Sequence, residues 1–223
     1  MNENKLTAAL IGATGLIGSH ILEQLKEDAT YGEVRVLVRR SFEVSHSKIK
    51  VIELNFDDML TLEASLQGVD AVFCAIGTTR SKTPDLSAYR KIDVDIPVNI
   101  ARLSEKTGVK SFQLVSSVGA NSLKSNFYLK MKGLVEDEVQ KLNIPSISIF
   151  RPSLLLGKRN PPRIAEQVSA VLMRPLHFLI PSHYKPVEAM QVAKAMICAS
   201  KNQHRGNSIL HFKEIMKKCF QSP

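Results

Sequence analysis

Residues 6–28 read LTAALIGATGLIGSHILEQLKED, and they decide the fold. LTAALIG (6–12) has the texture of a buried strand, and over 15–28 the residues Leu16, Ile17, His20, Ile21, Leu22 and Leu25 recur at helical spacing. Gly12, Gly15 and Gly18 fall at the turn between the two. Chemistry explains that spacing. One glycine makes the tight turn, another lets the backbone approach a pyrophosphate without a Cβ in the way, and another lets the helix pack closely on the strand. The helix N-terminus then offers free N–H groups and a partial positive charge to the phosphates. A tight structural turn is the bland alternative, but the triplet stands where a dinucleotide motif requires it, after a strand and before a helix.

Outward from this turn, strand-like and helix-like segments alternate. VRVLVRR (34–40), VIELN (51–55), DAVFCAIG (70–77), SFQLVSS (111–117) and SISIFRPSLLLG (146–157) read as strands; 57–68, 93–107 and 128–142 read as helices. Such alternation predicts an α/β fold, a Rossmann-type doubly wound parallel sheet with helices on both faces. After Gly157 the texture changes. KRNPPR (158–163) is loop-like, 163–174 reads as a helix, 177–186 as irregular and 187–200 as an amphipathic helix, with a last strand and helix in GNSILHFKEIMKK. No repeat or linker divides the chain, so 1–223 is read as a single domain, its core about 6–157 and a small C-terminal substrate lobe about 158–223.

Composition narrows the class. The chain has 223 residues, 44% hydrophobic and 23% charged, enough to bury a full core. No apolar run reaches the length of a membrane span, and the first residues enter a strand without a basic, signal-like region, which suggests a cytoplasmic protein. Cys74, Cys198 and Cys219 form no CxxC or Cys/His cluster, so neither a disulfide framework nor a metal site is indicated. The net charge of +9 lies wholly in the last third: 18 Lys/Arg face 18 Asp/Glu in residues 1–150, against 12 and 3 in 151–223. A solvated basic surface accounts for this as readily as an anionic partner, and no nucleic-acid-binding motif accompanies it.

The end of the second strand selects the cofactor. An acidic residue there would bind the 2′-hydroxyl of NAD, whereas Arg39 and Arg40 present guanidinium forks suited to a 2′-phosphate, which favours NADP(H). Further along, SNFYLKMKG (125–133) sets Tyr128 and Lys132 one helical turn apart on a shared face. An ammonium beside a phenol stabilises the phenolate and lowers a tyrosine pKa that starts near about 10. Alone, the pair reads equally as an exposed helix face.

Six motifs in order, GATGLIG, VLVRR, CAIGTTR, LVSSVGAN, YLKMKG and IFRPSLLLG, resemble an atypical short-chain dehydrogenase/reductase, most of all the branch of Tat-interacting-protein-like oxidoreductases. The likeness covers about residues 6–160. It implies a Ser–Tyr–Lys site in which Tyr128 exchanges the proton at a carbonyl oxygen, Lys132 lowers its pKa and holds the nicotinamide ribose, and Ser117 bonds the substrate oxygen. Ser116 is the adjacent alternative. The likeness further implies that Thr14, Gly15, Leu16 and Ile17 line the pyrophosphate, that Asp57 meets the adenine amino group, and that Ile76 and Gly77 form the edge after the fourth strand. Leu155 and Arg163 would close over the nicotinamide end. Two departures stand out: Asp93 where many relatives carry a relay asparagine, and a segment after FRP too short for a sugar-nucleotide epimerase. A small-molecule carbonyl substrate follows. A homodimer contact, a regulatory protein partner sensing NADPH without turnover, and flavin or tetrapyrrole reduction remain competing readings.

Overall fold

The computed structural model describes residues 5–157, 184–202 and 205–220. Seven strands form one sheet: β1 (Leu6–Ile11), β2 (Tyr31–Val38), β3 (Ile49–Glu53), β4 (Ala71–Cys74), β5 (Ser111–Val115), β6 (Ser146–Phe150) and β9 (Gly206–Leu210). Their order is β3-β2-β1-β4-β5-β6-β9, and every pairing is parallel. β7 (Leu155–Leu156) and β8 (Val187–Glu188) pair separately. The order reverses beside β1, and the crevice there lies at the carboxyl ends of β1 and β4, where such sheets bind ligands.

Strand alternation divides the core into two layers. Ala8 and Leu10 of β1 face α1 (Leu16–Glu27), while Ala9 and Ile11 face the opposite side. The first layer is completed by α6 (Ala189–Lys201) and α7 (Phe212–Phe220), the second by α2 (Met59–Leu66), α4 (Ile96–Lys106) and α5 (Phe127–Val139). Strands buried on both faces explain the unbroken apolar runs in the sequence. Leu10 and Leu25 are fully buried, so truncating either to alanine costs about 2–5 kcal/mol.

The observed elements differ from the expected ones at informative places. β2 starts three residues early because Tyr31 is buried, its hydroxyl 2.7 Å from that of Ser200. The helix expected at 93–107 begins at Leu86: α3 (Leu86–Arg90), capped by Asp85, runs through a π-helical turn (Lys91–Asp95) into α4. Pro97 cannot donate to the carbonyl four residues back. The helix widens just before it, with Ile96 N–H reaching Lys91 O. The run 146–157 breaks after Phe150, since Pro152 cannot continue the ladder. The sheet also takes in more of the chain than the expected core of 6–157, for β9 becomes its seventh strand and α6 packs on α1. The loop expected at 158–163 and the helix expected at 163–174 lie outside the described residues, as does most of the irregular stretch 177–186.

Candidate active site

The glycine turn has the backbone its sequence requires. Gly12 has φ of 88°, and a Cβ there would lie 2.6 Å from the carbonyl carbon and oxygen of Ala75. At Gly18 a Cβ would stand 2.0 Å from Gly12 O, so α1 packs directly against the turn. Gly15 is the N-cap of α1 and no side chain caps it, which leaves first-turn N–H groups facing the crevice with the helix dipole behind them. These features fit a dinucleotide pyrophosphate. Thr14 is exposed, whereas the Ile17 side chain is part of the core, so only its backbone could meet a phosphate.

Around this turn stand the other expected contacts. Arg39 and Arg40 are exposed just beyond β2 and form no ion pair among the described residues. Asp57 pairs with Lys91 at 2.6 Å on the rim of a cleft of about 480 Å³ that Phe56 and Ile96 also line. Leu155 is half-buried against the core, and a Cβ on Gly157 would sit 2.9 Å from Leu16, so this stretch passes over the start of α1. Arg163 lies outside the described residues.

The expected tyrosine–lysine pair is built on α5. Asn126 caps this helix by accepting from Leu129 N at 3.0 Å. Gly133 lets it approach the 121–122 loop so closely that a Cβ would fall 2.1 Å from Ser122 N. Tyr128 is 39% exposed at the helix start, while Lys132, one turn on, is buried. Lys132 Nζ lies 3.2 Å from Asp93 Oδ1, and Asp93 Oδ2 accepts from Thr78 N at 2.7 Å. A Cβ on Gly77 would be 3.4 Å from Asp93 Oδ1 and 3.6 Å from Lys132 Nζ, so the pair abuts the edge after β4. Ile76 is half-buried beside it. The structure thus brings Ile76, Gly77 and Lys132 to one place, with Asp93 in the π turn as a partner that the motif comparison had marked only as a departure.

Electrostatics follow from burial. Loss of water pulls the Lys132 ammonium down, but the Asp93 carboxylate and then Tyr128 outweigh it, and the net shift is upward. Tyr89, buried nearby, is pushed up to about 12, first by desolvation and then by Asp93. The two serines lie just past the end of β5, outside the strand that the sequence suggested for them, and they separate by burial and partner. Ser116 is buried and donates to Glu136, which also receives a two-pronged bond from Arg151, with Arg151 Nε at 3.0 and 3.1 Å from the two carboxylate oxygens. Ser117 is half-buried, and among the described residues its hydroxyl has only a long 3.4 Å contact to Val118 O. Glu136 and Arg151 escaped the sequence reading, although an acid four residues after Lys132 and an arginine directly after a strand stand in the sequence.

Comparison with known proteins agrees with this architecture. A family model described as NAD(P)H-binding matches residues 12–164. Protein FMP52-1, mitochondrial, of Scheffersomyces stipitis is 33% identical over 175 residues, 77% of each chain. Protein FMP52, mitochondrial, of Meyerozyma guilliermondii is 37% identical over 155 residues, 69% of this chain and 67% of its own. Protein HTATIP2 of Rattus norvegicus is 30% identical over 191 residues, 84% and 78% of the two chains. Among solved structures, gox2253 aligns with a TM-score of 0.72 at 23% identity, covering 99% of this chain and 76% of that one. UDP-glucose 4-epimerase of Thermotoga maritima aligns at 0.68 and 18%, covering 95% and 81%; both likenesses speak to the fold. The relatives overturn one expectation. The fungal proteins are named mitochondrial, so the cytoplasmic placement, which rested on the lack of an export-type signal, does not hold. With the glycine turn, the parallel sheet and these relatives together, the chain belongs to the NAD(P)H-binding family, in the atypical short-chain dehydrogenase/reductase group that includes HTATIP2.

Proposed function

We propose that the protein is an NADPH-dependent oxidoreductase that reduces a small carbonyl compound. The observation that carries the reading is the buried Lys132 ammonium at the Gly77 edge, one helical turn from the part-exposed Tyr128. NADPH, when bound, supplies the hydride. With the cofactor in place, Tyr128 would give its hydroxyl proton to the carbonyl oxygen of the aldehyde or ketone, the proton half of its reduction to the alcohol. Lys132 stabilises the phenolate left behind and holds the ribose. Ser117, whose hydroxyl is not committed to Glu136 as that of Ser116 is, donates to the same oxygen. Arg39 and Arg40 would receive the 2′-phosphate, Gly12, Gly15 and Gly18 would admit the pyrophosphate, and Asp57 would border the adenine. Single-domain organisation over 1–223 and a mitochondrial location like that in the relatives' names are part of the proposal, the latter checked by cell fractionation.

The test is calorimetric titration with NADPH of the wild type and of the Arg39→Ala/Arg40→Ala protein, followed by a carbonyl panel with Tyr128→Phe as control. Binding weakened in the arginine variant, with turnover lost in Tyr128→Phe, supports the reading. Equal NADH and NADPH affinity removes the cofactor assignment, and full turnover by Tyr128→Phe removes the mechanism.

A further inference from the structure

The loop after β4 carries a cation for which the reaction just proposed has no use. Residues 77–83 read GTTRSKT, and the turn is tightly braced. Thr78 N–H is fixed on Asp93, the Thr78 and Thr83 hydroxyls are 2.8 Å apart, and the N–H groups of Lys82 and Thr83 both donate to Thr79 O, at 3.0 and 2.8 Å. At its tip Arg80 is exposed, with its guanidinium carbon 5.5 Å from the centroid of the Phe127 ring, the residue preceding Tyr128. A guanidinium stacked in this way is held in place while its N–H edge stays open to a ligand.

Its position follows from the chain of contacts. Arg80 is two residues from Thr78, so its Cα is at most about 7 Å from that of the residue bonded to Asp93. The Phe127 ring under Arg80 also meets the buried Tyr89 edge-on, with centroids 5.2 Å apart, so Arg80 stands over the first residue of the helix that carries Tyr128 and Lys132. Asp93 offsets Lys132. Asp85, the other carboxylate near Arg80, serves as cap of α3, accepting from Ser87 Oγ at 2.6 Å and Ala88 N at 2.7 Å. Arg80 forms no ion pair among the described residues, and Lys82, exposed on the same turn, adds a second positive charge. Among the described residues, the surroundings of Arg80 are therefore left with net positive charge, on a side chain with the planar fork that suits a carboxylate.

We infer that Arg80 is a specificity residue that anchors an anionic group of the substrate, so that the preferred compound carries a carboxylate beside its reducible carbonyl. The inference deepens the proposed function and rests on its reading of Tyr128 and Lys132 as the reacting end. The hydride and proton go where they go for a neutral aldehyde, and Arg80 acts on binding alone.

The experiment compares 2-carboxybenzaldehyde with benzaldehyde on the full chain. Affinity for each is measured by calorimetry on the NADP⁺-saturated protein, and NADPH oxidation is followed with each, in wild type, Arg80→Gln and Arg80→Lys. The expected result is tighter binding of 2-carboxybenzaldehyde by about tenfold or more, the size of one charge-assisted bond. That advantage should vanish in Arg80→Gln and return in part in Arg80→Lys, with benzaldehyde and NADPH affinities unchanged. Equal affinity for the two aldehydes in wild type, or equal weakening of both by Arg80→Gln, overturns the anion site even if both are reduced. An Arg80-dependent preference without NADPH oxidation upholds the anion site and rejects the reductase reading instead.

Discussion

Two buried ion pairs sit one turn apart on α5, and they are built differently. Glu136 is enclosed and every prong is used: Ser116 donates to one oxygen, and Arg151 grips both. Lys132 and Asp93 are equally enclosed, yet Asp93 Oδ1 has the Lys132 ammonium at 3.2 Å as its one close partner among the described residues, where each Glu136 oxygen has two. A closed network of this kind ties α5 to β5 and β6. An incomplete one, at the edge of the cofactor crevice, keeps bonding capacity for something that arrives. Burying a charge is costly unless its partners are complete, so an open pair survives where function repays the loss. The same helix thus carries one fully bonded pair and, one turn away, one less completely bonded pair beside the proposed reacting tyrosine.

The comparison can be broken or sharpened by substitution. The largest effect on stability is expected from Glu136→Gln, which strands Arg151 and Ser116: a loss of about 3–5 kcal/mol in urea unfolding. Tyr128→Phe, on the chemical side, should lower turnover about 10²- to 10⁴-fold while unfolding stays near wild type, because the removed hydroxyl is part-exposed. Asp93→Asn keeps an acceptor for Thr78 N–H and leaves a lysine, which unlike Arg151 can shed its proton when stranded, so its loss of stability should be smaller, about 1–2 kcal/mol. Equal losses for Asp93→Asn and Glu136→Gln would dissolve the distinction between the pairs.

Smaller effects test the surroundings. Tyr89 beside the open pair is held neutral, its pKa raised to about 12. The raised folded value means that its contribution is complete below the unfolded pKa of about 10 and is lost as pH rises from there through 12. Melting temperatures between pH 9 and about 12 should therefore fall less steeply for Tyr89→Phe than for wild type. Lys91→Ala, which removes the solvent-exposed pair with Asp57, should change stability by no more than about 1 kcal/mol, since surface pairs are screened.

Local chemistry made much of the fold legible. Gly12 adopts a left-handed φ and Gly18 touches the turn, demands that only glycine meets, so a motif could announce them. The doubly buried strands showed as apolar runs for the same reason of immediate environment. The candidate site was legible where spacing on one element suffices, as for Tyr128 and Lys132. It was not legible where partners come from elsewhere: Asp93 and Thr78 reach Lys132 from the π turn and the β4 loop. Nor could strand alternation say which of Ser116 and Ser117 would meet Glu136. The late strand β9 was foreseen as a strand but not as a member of the main sheet, because register against β6 is a long-range property. Cellular compartment is not a property of packing at all, and the cytoplasmic expectation fell to the names of the fungal relatives.

By itself, the sequence determined the α/β class, the glycine turn and its phosphate-binding geometry, and the tyrosine–lysine spacing, because each depends on residues within a turn or two of one another. Only the tertiary structure decided that Lys132 is paired with Asp93, that Ser116 is bound up with Glu136 and Arg151, and that Arg80 stacks on Phe127 at the mouth. These contacts join residues 15 to 47 positions apart, and what brings them together is the sheet that sets the ends of β4, β5 and β6 side by side.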